Sequence, residues 1–519
     1  MALGKLAGPD KSRGKQLLVA ACALSGALGC SSKPDVAIPI SASGGGAALS
    51  GGQPGDAAGG DPGGASEASG GNASGGSSAS GGAAGGSGTG GTPAFTASCD
   101  DLGPEPTIPP ACATLAAPKT ATDGVLDDDS TLDTTTIQAA IDTCPAGQSV
   151  KLATDGPRNA FVSGALFLRT GVTLWLDEGV TLYASHNPRD FDAKAGQCGL
   201  NTSNSACYAL INATAVVGGG VMGAGTIDGR GGEPVTGDTR SWWELNTAYD
   251  GGLAGPRLIQ TNACNNFTIY QVTLRNAAKF HVTLTTTIGF KVWGITINTP
   301  DAAPNSDGID PYASRNGIIA YNKITTGDDN IAIKGTGPTT NLVIAHNHFG
   351  TGHGMSIGSE TYGGVSNVQV CDLSLDGTHN GLRIKSDSSC GGLVQGITYT
   401  DICMRNVGHP LVFTPFYSSD TGDQIPDYRD IALKNVHVLG TGSSSSTLRG
   451  YDAIRPLIIS FDNVVFEDPT SATFTAQDAQ ITLGPGPVSF TPTGSNVVVS
   501  NEITGTDPPR ACDDAWITF

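Results

Sequence analysis

Four acid and base side chains fall at matched places in neighbouring repeats of this sequence: Asp307, Asp328, Asp329 and His353. The segments Asn316-Gly-Ile-Ile-Ala-Tyr-Asn and Asn341-Leu-Val-Ile-Ala-His-Asn align at a step of about 25 residues, inside the range that marks solenoids. That alignment lays Thr326-Gly327-Asp328-Asp329 over Thr351-Gly352-His353-Gly354. Asn305-Ser306-Asp307 lies one repeat earlier and Arg383-Ile384-Lys385 one repeat later. If each repeat is one rung of a coil, equivalent residues stack ~4.8 Å apart. Asp307, Asp328 and His353 are then expected to form a column, with Asp329 beside it. Arg383 and Lys385 are expected to project together, because residues i and i+2 share a strand face.

Carboxylates this close cannot all ionise easily, so at least one should hold its proton. A protonated acid beside an ionised base is what glycoside hydrolysis needs, one for the leaving oxygen and one on the far side of the sugar. Two cations on the next rung suit a substrate carboxylate. Each motif alone has a bland reading. Asn-x-Asp is usually a turn, Asp-Asp a solvated surface, Gly-His-Gly a turn and Arg-x-Lys a charged strand face. The ordered set on consecutive repeats is what carries the specificity.

The elements that must hold these groups are short strands. Asn266-Phe-Thr-Ile-Tyr, Gly289-Phe-Lys-Val-Trp, Asn367-Val-Gln-Val-Cys-Asp and Asp430-Ile-Ala-Leu-Lys-Asn repeat the same pattern, with Val and Ile alternating between polar residues and Gly, Asn or Asp as punctuation. Asp133 to Cys144 reads as one amphipathic helix, with Ile137, Ala140 and Ile141 on a face and Asp133 as N-cap. The expected fold is all-β: a right-handed parallel β-helix, a solenoid with that short helix capping its N-terminal end. A β-propeller is the alternative, but its step of ~40 residues is absent.

Three segments are expected: an export signal over 1–30, a Gly/Ser/Ala-rich linker over 31–94, and the β-helix over 95–519. Lys5, Lys11, Arg13 and Lys15 precede an apolar stretch, Leu17 to Gly29, that is short for a membrane span. It ends in Ala27-Leu28-Gly29-Cys30, which resembles a bacterial lipoprotein cleavage box with Cys30 lipidated. An ordinary signal peptide or an uncleaved anchor is the alternative. Ser31, and not Asp, follows the cysteine, which in lipoproteins of this type favours the outer membrane, so the expected location is extracellular, on the outer membrane, with membrane contact through the lipid alone. The linker has nothing to bury and reads as a flexible tether. Of twelve cysteines, Cys22 lies in the signal and Cys30 in the lipoprotein box; the other ten, without a CxxC pair, suit an oxidising compartment and not a zinc site. Cys112–Cys144 and Cys198–Cys207 are expected disulfides. Cys99, Cys264, Cys371, Cys390, Cys403 and Cys512 have no assignable partners from sequence. A net charge of −19 excludes the basic footprint of nucleic-acid binding.

The ordered motifs resemble those of family 28 glycoside hydrolases, specifically bacterial endo-polygalacturonases. They are Asn305-Ser306-Asp307-Gly308-Ile309-Asp310, Thr326 to Lys334, Gly352 to Glu360 and Gly381 to Lys385, supported by Gly225-Thr226-Ile227-Asp228-Gly229 and Phe280-His281-Val282. The similarity spans about residues 110–470. It implies a parallel β-helix and inverting hydrolysis of α-1,4 bonds in pectin or polygalacturonate. It gives Asp328 as general acid, Asp307 and Asp329 on the water, and His353 supporting the acid. It gives Arg383 and Lys385 on a galacturonate carboxylate and Asn305 on sugar. It gives Tyr417 as a stacking residue, with Tyr428 as the alternative. No metal and no cofactor are expected, and a monomer is. Ser306 stands where the family usually has Thr, which keeps the hydroxyl. The short Lys334–Asn341 segment favours attack within the polymer. An exo-acting or rhamnogalacturonan-type hydrolase, a calcium-dependent lyase and a non-catalytic adhesin are the competing readings.

Overall fold

The computed structural model describes residues 95–519 except 203, 419–420, 441–443, 502–504 and 519. The expectations for the export signal, Cys30 and the linker lie outside the described residues. From Ala111 onward the chain winds into rungs of parallel strands joined in one 30-stranded sheet. This is the right-handed parallel β-helix that the repeat implied. One rung is Lys291–Trp293, Thr296–Asn298 and Ile309–Tyr312. The next is Arg315–Ala320, Lys323–Thr325 and Ile331–Ile333. Their register is Lys291↔Ile318, Thr296↔Lys323 and Ile309↔Ile331. Further on, the first two strands of a rung merge, as in Thr339–Phe349 and Val365–Asp376.

Inward positions form a continuous aliphatic core, with Ile309, Ile331, Met355, Leu382 and Leu411 stacked and fully buried along one side. The asparagines that punctuate the repeats have a physical role. Asn266, Asn316, Asn341, Asn367 and Asp430 all sit at positive φ. Asn and Asp tolerate the left-handed region better than other non-glycine residues. Asn341 Nδ2 donates to Asn316 Oδ1 at 2.9 Å, and Asn367 Nδ2 to Asn341 Oδ1 at 2.6 Å. The amides thus stitch the corner from rung to rung.

The helix α1, Thr134–Thr143, buries Ile137 and Ile141 against the first rung. Asp133 is its N-cap by position, yet its side chain makes no capping bond. That carboxylate instead pairs with Lys119 Nζ at 2.9 Å and accepts from Val162 N–H at 2.8 Å, tying the cap to the sheet. Cys112–Cys144 joins the first strand to the helix end, and Cys198–Cys207 closes a short loop. Cys99–Cys371 and Cys403–Cys512 are further disulfides, and Cys264 is buried as a free thiol. Among the described residues no helix is long and apolar enough to cross a membrane.

Candidate active site

The acid and base groups lie at the corner between the second and third strands of successive rungs, and on the third strands themselves. The register there departs from the simple alignment. The step between repeats holds from Arg315↔Thr340 to Ile324↔Phe349, but Ile331 then pairs with Met355. The corner Gly327–Asn330 therefore carries one more residue than Gly352–Gly354. Counted back from Ile309↔Ile331, the residue level with Asp307 is Asp329 and not Asp328, a correction to the expected column. Gly308 N–H donates to the Asp329 carbonyl at 2.9 Å at this level.

Asp328 still meets His353. His353 Nδ1 lies 3.0 Å from Asp328 Oδ1, and the His353 N–H donates to the Asp328 carbonyl at 2.8 Å. Asp329 turns the other way. Lys385 Nζ lies 2.7 Å from its Oδ2, Ser356 Oγ donates to its Oδ1 at 2.6 Å, and Arg383 Nη1 stands 3.6 Å from Oδ1. Arg383 and Lys385 share a face of Asn380–Lys385 as expected, and the Tyr417 ring lies 5.3 Å and 5.0 Å from their charges. Tyr428 is 2% exposed and sits in the core, which removes it as an alternative.

Asn305 is held by a second helix, α2, Trp242–Ala248, which starts with a capping box between Ser241 and Glu244. Asn246, 1% exposed, donates from Nδ2 to Asn305 Oδ1 at 2.9 Å. Asn305 Nδ2 in turn reaches Asp328 Oδ2 at 3.5 Å. Ser306 faces inward. Its Oγ donates to Ala303 O at 2.8 Å and accepts from Gly327 N–H at 3.0 Å, so the hydroxyl fixes the corner and does not face a ligand.

These surroundings give one residue type different proton affinities. Burial pushes the Asp328 carboxyl up, but the hydrogen bond and charge of His353, with Lys385, outweigh it and hold Asp328 below the ordinary range. Burial lowers His353, and Asp328 more than reverses it, so the imidazole binds its proton more tightly than usual. Burial likewise opposes Lys385 at Asp329, and the lysine wins, so Asp329 is lowered. At Asp307 the charge of Lys334 acts in the same direction but does not outweigh burial. Burial and the charges of Asp328 and Asp310 raise it well above the carboxylate range.

Sequence reasoning missed three groups. Asp310 is wholly buried, neither of its oxygens has a hydrogen-bond partner among the described residues, and burial pushes it up to about 8. Lys334, buried beside Glu360 at 3.7 Å, faces the same carboxylates. His281 Nδ1 lies 2.9 Å from the Asp307 carbonyl and Nε2 2.8 Å from Thr299 Oγ1, which fixes the Asp307 backbone. Their signal was the run Phe280-His281-Val282, whose His281 and Val282 are buried, and, for Asp310 and Lys334, their places in the motifs that carry Asp307 and Asp328. One ligand atom each of Asp328, Asp329 and His353 lie within 4.8 Å of one another, the spacing a metal ion would use. Those donors are already engaged, by His353 with Asp328 and by Lys385 and Ser356 with Asp329, so the arrangement fits an acid–base site better than a metal cage.

Comparison with known proteins agrees with this geometry. The family model "Glycosyl hydrolases family 28" matches residues 174–482. A polygalacturonase of Ralstonia nicotianae is 42% identical over 498 residues, covering 82% of this chain and 93% of that protein. An endo-polygalacturonase of Pectobacterium parmentieri is 44% identical over 369 residues, covering 69% of this chain and 88% of that protein. The solved polygalacturonase from Erwinia carotovora ssp. carotovora superposes with a TM-score of 0.68 at 41% identity, over 74% of this chain and all of that one. A family model spanning most of the coil, with relatives of this similarity, means that the chain belongs to glycosyl hydrolases family 28 and is a glycoside hydrolase.

Proposed function

We propose that the chain hydrolyses α-1,4 bonds between galacturonates in pectin or polygalacturonate, cutting within the polymer and inverting the configuration. The observation that carries this is the Asp328–His353 pair at 3.0 Å beside an Asp329 held by Lys385 and Ser356. The first pair shares one proton, which rests on His353 in the free site and reaches the glycosidic oxygen through Asp328. As that proton arrives, the bond to the leaving sugar breaks. A water on the opposite side, held by Asp307 and Asp329, bonds to the anomeric carbon. Its proton passes to Asp329, whose lowered proton affinity supports it as the ionised member. Arg383 meets a substrate carboxylate, with Lys385 behind it, Tyr417 as the platform and Asn305 on a hydroxyl. Attack within the polymer has the support of relatives named endo-polygalacturonases at 44% identity.

The same reading has the chain exported and tethered through Cys30. The disulfides Cys99–Cys371, Cys112–Cys144, Cys198–Cys207 and Cys403–Cys512 support an oxidising destination. The same reading has it act as a monomer, with the support that Phe95, Leu102 and Ile108 cover an apolar outer face of the first strands of the rungs. The test is a reducing-end assay on polygalacturonate with wild type and Asp328→Asn, alongside viscosity and product length. Wild type should release reducing ends with an early viscosity drop, and Asp328→Asn should lose at least about 10²-fold in kcat. Equal activity in both proteins, or UV-absorbing unsaturated products, would overturn the reading.

A further inference from the structure

A cleft of about 340 Å³ lies away from the catalytic corner, between the C-terminal segment around Arg510 and the outer face of the second strands, lined by Tyr321, Lys323, His346, His348, Asp372 and Arg510. We propose that this cleft is a second, non-catalytic site that holds a galacturonate segment of the polymer; the inference rests on the polyuronate reading above.

Three observations carry it. The first is an aromatic platform. Tyr321 is 47% exposed and stacks flat on His346, with ring centroids 4.7 Å apart and planes 16° from parallel. Trp293 backs it at 4.8 Å, so the ring is braced before any ligand arrives. A large exposed ring held rigid suits the apolar face of a sugar, since no side-chain freedom is lost on binding.

The second is charge. Against a chain of net charge −19, this cleft sets the cations Lys323 and Arg510 beside Asp372, with the imidazoles of His346 and His348 as hydrogen-bonding groups; burial makes His348 hold a proton less readily than usual. Asp372 is already engaged, by an ion pair with Arg510 at 2.9 Å and by His346 Nδ1 at 2.7 Å. Lys323 has no ion-pair partner among the described residues and is exposed. It stands two residues from the Tyr321 ring, as a carboxylate partner should stand beside a sugar platform. Asp514 is the other carboxylate on the lining, at the exposed rim.

The third is rigidity and place. Cys403–Cys512 pins the C-terminal segment, and His437 Nδ1 lies 2.7 Å from the Arg510 carbonyl. Only the strand Lys323–Thr325 and the turn after it separate Lys323 from Asp328. A polymer held at the cleft therefore keeps its neighbouring segments at high effective concentration near the catalytic corner without occupying it.

The experiment uses the full chain and compares polygalacturonate with the galacturonate trimer, for wild type, Tyr321→Ala, Lys323→Glu and Lys323→Arg. Lys323→Glu changes an exposed residue and keeps the test valid should Tyr321→Ala fold poorly. Expected is a KM on polymer raised about fivefold in Tyr321→Ala and Lys323→Glu, the weight of one surface contact. The trimer constants and both kcat values should stay unchanged, and Lys323→Arg should behave as wild type. Unchanged polymer KM in both variants, or equal losses on polymer and trimer, would overturn the site. Retardation of the same proteins in a native gel cast with polygalacturonate reads binding without turnover. Wild type that releases no reducing ends would therefore overturn the catalytic reading alone. Lost retardation in Lys323→Glu would still support the cleft, and unchanged retardation would reject it.

Discussion

Removing His353 is the sharpest perturbation of the acid–base arrangement. In His353→Ala the Asp328 carboxylate loses its Nδ1 partner at 3.0 Å. The two side chains are 25% and 20% exposed, between a surface pair and a fully buried one. Surface pairs contribute about 0–1 kcal/mol, and breaking buried ones costs about 3–5 kcal/mol, so the loss should be about 2 kcal/mol. The size of this loss depends on pH. His353 binds its proton more tightly when folded, so its contribution is complete below the ordinary 6.5 and is lost as pH rises through the raised value. Asp328 is lowered, so its contribution is present above the ordinary 3.8 and is lost as pH falls through the folded value. The cost of His353→Ala should therefore peak between 3.8 and 6.5 and shrink on both sides. Urea unfolding across that range measures it.

Activity gives a second reading of the same change. Without His353 the catalytic proton rests on Asp328 alone, at an affinity that burial raises and Lys385 lowers. The alkaline limb of kcat/KM, set in wild type by the raised His353, should move to lower pH, and the plateau should fall about 10²-fold. A stability loss that is constant from acid to neutral pH, together with an unmoved alkaline limb, would refute the shared-proton argument.

Three further outcomes follow from other contacts. Lys385→Met removes a cation 2.7 Å from Asp329, with side chains 6% and 1% exposed, and should cost about 3 kcal/mol in urea unfolding near neutral pH. That cost should shrink in acid, because Asp329 is a lowered carboxyl whose contribution disappears as pH falls. Asp310→Asn should flatten the pH dependence of thermal stability: the wild-type carboxyl, raised to about 8, loses stabilisation as pH rises from the ordinary 3.8. The variant should thus gain melting temperature over wild type at neutral pH and match it in acid. Ser241→Ala removes one half of the capping box of α2 and should cost about 1 kcal/mol. Because that helix carries Asn246 to Asn305, its KM should rise more than its kcat falls.

The fold was legible because a coil repeats its physics. Val and Ile alternate inward on every rung, and Asn316, Asn341 and Asn367 mark the same left-handed corner each time. The α1 helix was legible from Ile137 and Ile141, but its cap was not. The Asp133 side chain answers to Lys119 and Val162, which lie elsewhere in the sequence. The catalytic candidates were legible as a set. Their order was not, because a local alignment carries its offset through the corner and cannot see where a rung gains a residue. Lys385 shows the same limit. Its place beside Arg383 follows from strand period, whereas its bond to Asp329 depends on how deep a corner two rungs away sits. Asp310 was hidden because an apparently ordinary strand residue becomes unusual only when burial leaves its oxygens without partners.

The additional residue at Gly327–Asn330 has a chemical consequence. Hydrolysis by paired acid and base needs carboxyls that differ in proton affinity while standing close together, and identical aspartates differ only by environment. In a regular rung, adjacent residues point to opposite faces, so a second aspartate would be carried into the core or away from the first. The longer corner lets Asp328 and Asp329 both face the site yet reach different partners. Asp328 turns to His353 and Asn305, which gives it a proton to borrow. Asp329 turns to Lys385 and Ser356, which keep it ionised. Asp307, level with Asp329 but with Lys334 too weak to offset its burial, stays the most basic of the three. Deleting a residue from that corner would restore the simple repeat, and with it only one aspartate could face the site.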